Sequence, residues 1–346
     1  WGCPLGPRDG NSLFSQALDN LTGAGKIFVL SAGNNGSDKI HLQKTFTPTD
    51  ISVSTFLTFD NQLPEKWNRV DIWGDTAEAF CIKISLYNGN TRTDSTALIC
   101  LDDVTHDLVL VSAAGDTCYI TLTAVSSEFN NKPHMLLDIY SKTNERLCLS
   151  LLGTSGTVDM WQGYVYKSSG YYGSFTKYNY AWAVNGDNQM QVSDMVTSRS
   201  AIGVAAYNSK VQFTNVSGQN VQYTGFNKGA IASFSSHGPT ADGRNKPDIA
   251  APGMALASSI SSGDSALMPG GDEYNLVAAK FVSPRNGQTY SYAMFQGTSM
   301  SSPMTSGIVA LLLEVNPQLN PQQVMDILKQ TAIKDLNTGN IPVTGS

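Results

Sequence analysis

The stretch Gly297-Thr298-Ser299-Met300-Ser301-Ser302-Pro303 decides how this chain is read. It runs into Gly307-Ile308-Val309-Ala310-Leu311-Leu312-Leu313, an apolar run that predicts a buried helix. A serine in the first turn of such a helix lies among backbone N–H groups with no partner inside the helix, at the positive end of its dipole. Negative charge developing on a nearby oxygen is stabilised there, so the position suits a nucleophilic hydroxyl. The plainer alternative is a Ser or Thr cap, the ordinary use of these residues at a helix start. Other parts of the chain decide between the two.

Composition narrows the field. The 346 residues are 41% hydrophobic and only 14% charged, enough to bury a large core and more than one domain's worth of chain. The net charge of -6 and the lack of a Lys/Arg cluster argue against a nucleic-acid partner. No apolar run approaches the roughly eighteen residues of a membrane span. The chain opens at Trp1-Gly2-Cys3-Pro4, with neither an initiator Met nor a signal-peptide pattern, and is expected to be a piece of a longer polypeptide. Cys3, Cys81, Cys100, Cys118 and Cys148 form no CxxC pair and no zinc-like spacing. Runs such as Phe80-Cys81-Ile82 and Leu147-Cys148-Leu149 favour buried free thiols, with one or two disulfides left open.

Three segments differ in pattern. Residues 1–45 read as loop, helix and strand. Asn11 is the expected cap of a helix carrying Leu13, Phe14, Ala17, Leu18 and Leu21, and Lys26–Ser31 reads as a parallel strand buried on both faces. Residues 46–185 alternate with period two, as in Phe80, Ile82, Ile84 and Leu86, with further strand-like runs at 96–101, 107–112, 118–125, 134–140 and 146–152. Many short strands with turn signals predict an antiparallel sandwich. Residues 161–182 hold nine aromatics, read either as packing against a neighbouring domain or as a glycan- or peptide-docking surface. Residues 186–346 return to the α/β pattern, with strands at Ala201–Ala206 and Ile231–Phe234 and a last helix, Gln322–Gln330, opened by Asn320-Pro321.

A second motif, Ser31-Ala32-Gly33-Asn34-Asn35-Gly36, follows the predicted strand at 26–31. In open parallel sheets, sites form at the C-terminal ends of strands, and the Asn34 amide is a donor an oxyanion could use. Alone, such a turn carries little.

Together the two motifs resemble those of the subtilase family of serine peptidases, as do Ser233–Gly253 and Ile202–Tyr207 between them. The resemblance covers about 1–45 and 186–335. It implies an α/β, subtilisin-like three-layer parallel-sheet domain, its N-terminal part missing, carrying an inserted antiparallel β-sandwich. The insert resembles the jelly-roll inserts of some bacterial subtilases, with residues 156–163 as its closing strand. The resemblance makes Ser299 the nucleophile and Asn34 the side-chain oxyanion donor, with the Ser299 backbone N–H as the second. It places Trp1, Gly2 and Cys3 on the strand that pairs with a polypeptide substrate, and Ser31, Ala32 and Gly33 along the pocket for the residue before the scissile bond. It further implies a secreted or cell-envelope protein, which the low-charge composition matches.

The departures are specific. Subtilases run in the order Asp, His, Ser, and neither the Asp motif nor the His-Gly-Thr motif occurs here. The histidines are His41, His106, His134 and His237; His237 reads as structural, as does Asp248. A serine with no base beside it is a poor nucleophile. The expectation is therefore the C-terminal portion of a catalytic domain, inactive alone; the alternative is a pseudoprotease serving as a binding or regulatory module. No cofactor is implied beyond the calcium common in the family, for which Asp102, Asp103 and Asp187 are available without EF-hand-like spacing.

Overall fold

The computed structural model describes residues 5–59, 65–75, 80–163, 173–335 and 337. In chain order these form α1 (Leu13–Leu21), β1 (Val29–Ser31), β2 (His41–Thr45), β3 (Ser52–Leu57), β4 (Lys66–Gly74), β5 (Cys81–Asn88), β6 (Thr91–Ser95) and β7 (Ile99–Cys100). There follow β8 (Val104–Val111), β9 (Thr117–Ser126), β10 (Pro133–Ser141), β11 (Arg146–Leu152), β12 (Thr157–Gln162) and β13 (Phe175–Thr176). The chain continues through β14 (Ile202–Tyr207), β15 (Gln212–Thr214), β16 (Asn220–Gln222), β17 (Ile249–Pro252), β18 (Leu256–Ser259), β19 (Val277–Val282) and β20 (Thr289–Phe295), then α2 (Thr298–Val315) and α3 (Pro321–Thr331).

Strands β1, β14 and β17 make a parallel sheet in the order β1-β14-β17. Val309 of α2 and Val324, Met325 and Leu328 of α3 pack on Ile202, Val204 and Ala251 of that sheet. The Ser301 hydroxyl ties α2 to the Ala251 carbonyl at 3.1 Å. Gly253 allows the close approach: a Cβ there would lie 2.3 Å from that of Ala206 and 2.5 Å from Ser301 Oγ. Asp248 accepts from the Gly203 N–H at 2.8 Å and pairs with Lys246 and Lys329, which makes it a clasp between β14, β17 and α3.

The middle of the chain forms two six-stranded antiparallel sheets. One runs β2-β12-β4-β10-β9-β8; the other runs β13-β3-β11-β5-β6, with β7 on β5. Inward residues from both, including Val70, Ile72, Ile120, Leu122, Leu137, Ile82, Ile84, Leu86, Leu149 and Leu151, share one core. The period-two expectation for 80–87 holds because Ile82, Ile84 and Leu86 are fully buried. The antiparallel order begins at His41, ahead of residue 46.

Several expectations need correction. Ser12, not Asn11, caps α1, because the Ser12 hydroxyl receives the Ser15 N–H at 3.1 Å. The first strand is only Val29–Ser31, and Val29 and Leu30 are half-buried rather than enclosed. Residues 231–234 form no strand; they lie along β14 through one bridge, Tyr207 to Ile231, while Ser235 Oγ takes the Ala206 N–H. The helix through Gly307–Leu313 is not buried throughout. Its sheet-facing side buries Val309, while Ile308 and Leu311 are 49% and 64% exposed. Cys81 and Cys100, opposite one another on β5 and β7, form a disulfide, whereas Cys118 and Cys148 are buried free thiols. Burial pushes Cys118 up to about 11 and Cys148 up to about 12, which makes both poor nucleophiles. Of the nine aromatics, Trp161, Phe175 and Tyr180 are packed inside, Tyr178 and Trp182 are exposed, and Tyr164, Tyr166, Tyr171 and Tyr172 lie outside the described residues.

Candidate active site

The two motifs meet although more than 250 residues separate them. Gly297, with φ at +133°, is the N-cap of α2, so Thr298 and Ser299 occupy the first two helical positions. Neither is a cap, which removes the plainer reading of Ser299. The Thr298 hydroxyl and backbone N–H both donate to Asn34 Oδ1, at 3.0 and 2.9 Å. The same hydroxyl accepts from the Gly33 N–H at 3.1 Å. With Oδ1 doubly bound, the Asn34 amide is locked in one sense and its Nδ2 is left as the outward donor. A Cβ on Gly297 would stand 3.3 Å from that Nδ2, so the amide lies against the glycine, next to the first turn of α2. Asn34 and Ser299 are both exposed. Neither Asn34 Nδ2 nor Ser299 Oγ has a hydrogen-bond partner among the described residues, and the Ser299 N–H belongs to the unpaired first turn of α2. An amide donor, a backbone N–H and a hydroxyl on exposed residues beside Gly297 are thus left without partners among the described residues.

Ser31 and Ala32 are buried and Gly33 half-buried at the C-terminal end of β1. Ala32 extends the ladder to the Val204 carbonyl at 2.9 Å and receives the Ser193 N–H on its own carbonyl at 2.8 Å. Ser236 supports the turn from below: its N–H donates to the Gly33 carbonyl and its hydroxyl receives the Asn35 N–H, each at 2.9 Å. Gly33, at φ +111°, holds a conformation that side chains avoid. Trp1, Gly2 and Cys3 lie outside the described residues. Sequence reasoning missed Thr298, Ser193 and Ser236. The one available signal was that an oxyanion amide needs something to hold its oxygen, and the Thr beside Ser299 supplies it.

Three of the four histidine rings are committed elsewhere. His41 is 1% exposed, with Nδ1 at 2.7 Å from Asp187 and Nε2 at 3.0 Å from Asp159. His106 pairs with Asp102, and His134 pairs with Asp71 and stacks on Trp73. His237 is exposed, and its backbone carbonyl receives the Gln191 N–H. No ring nitrogen reaches Ser299 among the described residues. The carboxylates considered for calcium are engaged as well: Asp187 with His41, Asp102 with His106, and Asp103 with the Ser126 N–H. Among the described residues no group of three or more His, Cys, Asp or Glu side chains is placed to hold a metal.

A model of the subtilase family matches residues 4–343. Serine protease AprX of Bacillus subtilis is 39% identical over 99 residues, which is 29% of this chain and 20% of that protein. Fervidolysin of Fervidobacterium pennivorans is 36% identical over 102 residues, 30% of this chain and 12% of that protein. The chain thus spans a fifth or less of these two relatives. The Clostridium perfringens CspB protease has the same fold, with a TM-score of 0.67 at 17% identity over 99% of this chain and 61% of that one. Matched almost end to end, the chain belongs to the subtilase family of serine peptidases.

Proposed function

We propose that this chain carries the nucleophile half of a subtilisin-like serine endopeptidase acting on polypeptides. Ser299 Oγ attacks the carbonyl carbon, and the oxyanion formed is received by Asn34 Nδ2 and the Ser299 N–H. Collapse of the oxyanion breaks the peptide C–N bond, the amine leaves with the proton that the general base took from Ser299, and water then hydrolyses the acyl-enzyme to the acid and free serine. Support comes chiefly from the Thr298 clamp, which spends the Asn34 oxygen and leaves its amide nitrogen free beside an unpaired serine. Trp1–Cys3 and Ser31–Gly33 are proposed to flank an extended substrate, and the reading needs no cofactor. Residues 46–185 are proposed as a sandwich inserted into the α/β core, the units being 1–45, 46–185 and 186–346. A secreted or cell-envelope setting fits the low charge and the Cys81–Cys100 disulfide. No described helix is long and apolar enough to cross a membrane.

The general base and its orienting Asp are proposed to come from polypeptide other than these 346 residues, because the histidine rings at 41, 106 and 134 are already paired with carboxylates and that of His237 has neither a carboxylate partner nor a hydrogen bond to Ser299 among the described residues. Casein digestion tests this. The complete gene product is expected to cleave casein, and its Ser299→Ala variant and the 346-residue chain are expected not to. Cleavage by the 346-residue chain, or none by the complete product, overturns the proposal.

A further inference from the structure

His41 begins β2 a few residues beyond Asn34, and its surroundings connect it back to the site. A neutral imidazole has one N–H and one lone pair, so it can satisfy only one of two flanking carboxylates. With Asp187 Oδ1 at 2.7 Å and Asp159 Oδ1 at 3.0 Å, the deprotonated ring would aim a lone pair at a carboxylate oxygen. The doubly protonated ring donates to both. Burial works against the cation, but the two carboxylates outweigh it and hold His41 above the ordinary histidine range. The carboxylates are held in place by further donors, and the one cation nearby among the described residues is separated from the ring by Trp161. Gln43 Nε2 donates to Asp159, the Gln189 N–H donates to Asp187, and Trp161 lies 5.2 Å from the ring, with the Arg8 guanidinium 4.7 Å over the indole.

Asp187 opens the segment that leads to the substrate wall. Its N–H donates to the His41 carbonyl at 2.7 Å, so side chain and backbone are both tied to β2. Downstream, the Met190 carbonyl accepts from the Trp161 indole and from Arg8, and the Gln191 N–H donates to the His237 carbonyl. The Ser193 N–H then holds the Ala32 carbonyl. A run of seven residues thus links a buried ion cluster to the wall beside Asn34.

We propose that His41, clamped between Asp159 and Asp187, is a positioning residue: as the imidazolium it fixes segment 187–193 against Ala32 and so orders the Ser31–Gly33 wall, and its deprotonation loosens that wall. The inference rests on the proposed peptidase reading for its consequence in catalysis, but the ordering can be read without activity. The experiment is amide hydrogen exchange on the complete gene product from pH 5.5 to 9, as protection factors for peptides covering 29–36 and 187–196. In the wild type, protection of both is expected to fall about tenfold or more as pH rises through the His41 transition. His41→Gln is expected to give low protection without the step. Asp187→Asn, at a half-exposed position, leaves His41 with Asp159 alone and is expected to move the step to lower pH, which keeps the test open if the first variant does not fold. Loss of packing alone would lower protection equally at every pH and leave the step in place. Flat wild-type protection, a step that persists in His41→Gln, or an unshifted step in Asp187→Asn overturns the proposal. Where casein is cleaved, a high-pH rise in KM that His41→Gln abolishes is also expected, and its persistence counts against the proposal. Absence of cleavage counts against the peptidase reading instead.

Discussion

The Asn34–Ser299 and His41–Asp159–Asp187 clusters draw on the same kinds of side chain and differ in what is left unpaired. In the second, each imidazole nitrogen faces a carboxylate and the ring is almost wholly enclosed. In the first, the oxygen of the amide is saturated while its nitrogen and the serine hydroxyl face outward. A His–Asp pair resembles catalytic machinery in sequence and in distance, yet a group whose every valence is satisfied in a buried site has nothing to give a substrate. Reactivity lies where the fold leaves donors unsatisfied at a helix N-terminus, and stability lies where it pairs them.

Substitutions at the two clusters should therefore separate cleanly. In the complete gene product, Ser299→Ala is expected to lower kcat by about 10⁴-fold or more, and Asn34→Ala by about 10²–10³, the size known from the equivalent loss in a subtilisin. Both should leave the thermal midpoint nearly unchanged, and a large drop in Tm would break the distinction. Thr298→Val removes one of the two donors to Asn34 Oδ1 and frees the amide to turn. A fall of about tenfold in kcat with little change in KM is expected, read from steady-state hydrolysis of a peptide substrate.

At the paired cluster the effect should fall on stability. Because the folded His41 is held above its ordinary range, its contribution is complete below about pH 6.5 and is lost as pH rises through the raised value. His41→Gln should therefore cost about 3 kcal/mol in denaturant unfolding at pH 6 and much less at pH 9. Asp187 has the opposite sign. Burial raises it, but the His41 hydrogen bond and charge lower it overall, so its contribution is lost as pH falls through the depressed value. Asp194 supplies the smallest effect. Burial pushes it up to about 6 against hydrogen bonds from Ser12 and the Arg8 N–H, so its ionisation costs stability as pH rises past that value. Asp194→Asn keeps an acceptor for Arg8 and is expected to stabilise by about 1 kcal/mol at pH 8 with little change at pH 5. Equal effects at both pH values would contradict the assignment.

The site was more legible in the sequence than the fold around it. The pairing of the motifs at 31–36 and 297–303 was readable through the resemblance of both to one family, and the fold brings them together through Thr298 and Asn34. The strand 146–152 and the Asn320-Pro321 start of α3 were readable because period and cap chemistry are local. Strand β4 was not, because Asn68 and Asp71 are buried on it and break the apolar alternation. The disulfide was hidden because strand register, which a local pattern does not contain, sets Cys100 opposite Cys81. The exposed face of α2 was hidden for a similar reason: Ile308 and Leu311 are apolar, and only the position of the sheet shows which side of the helix is covered.

Mapping the adduct of a serine-directed fluorophosphonate by mass spectrometry decides whether Ser299 is the nucleophile and whether it is activated from outside these 346 residues. On the complete gene product a single adduct on Ser299 is expected, slowed in Asn34→Ala, and none on the 346-residue chain. Stoichiometric labelling of Ser299 in the 346-residue chain, or a principal adduct elsewhere in the complete product, would contradict that expectation.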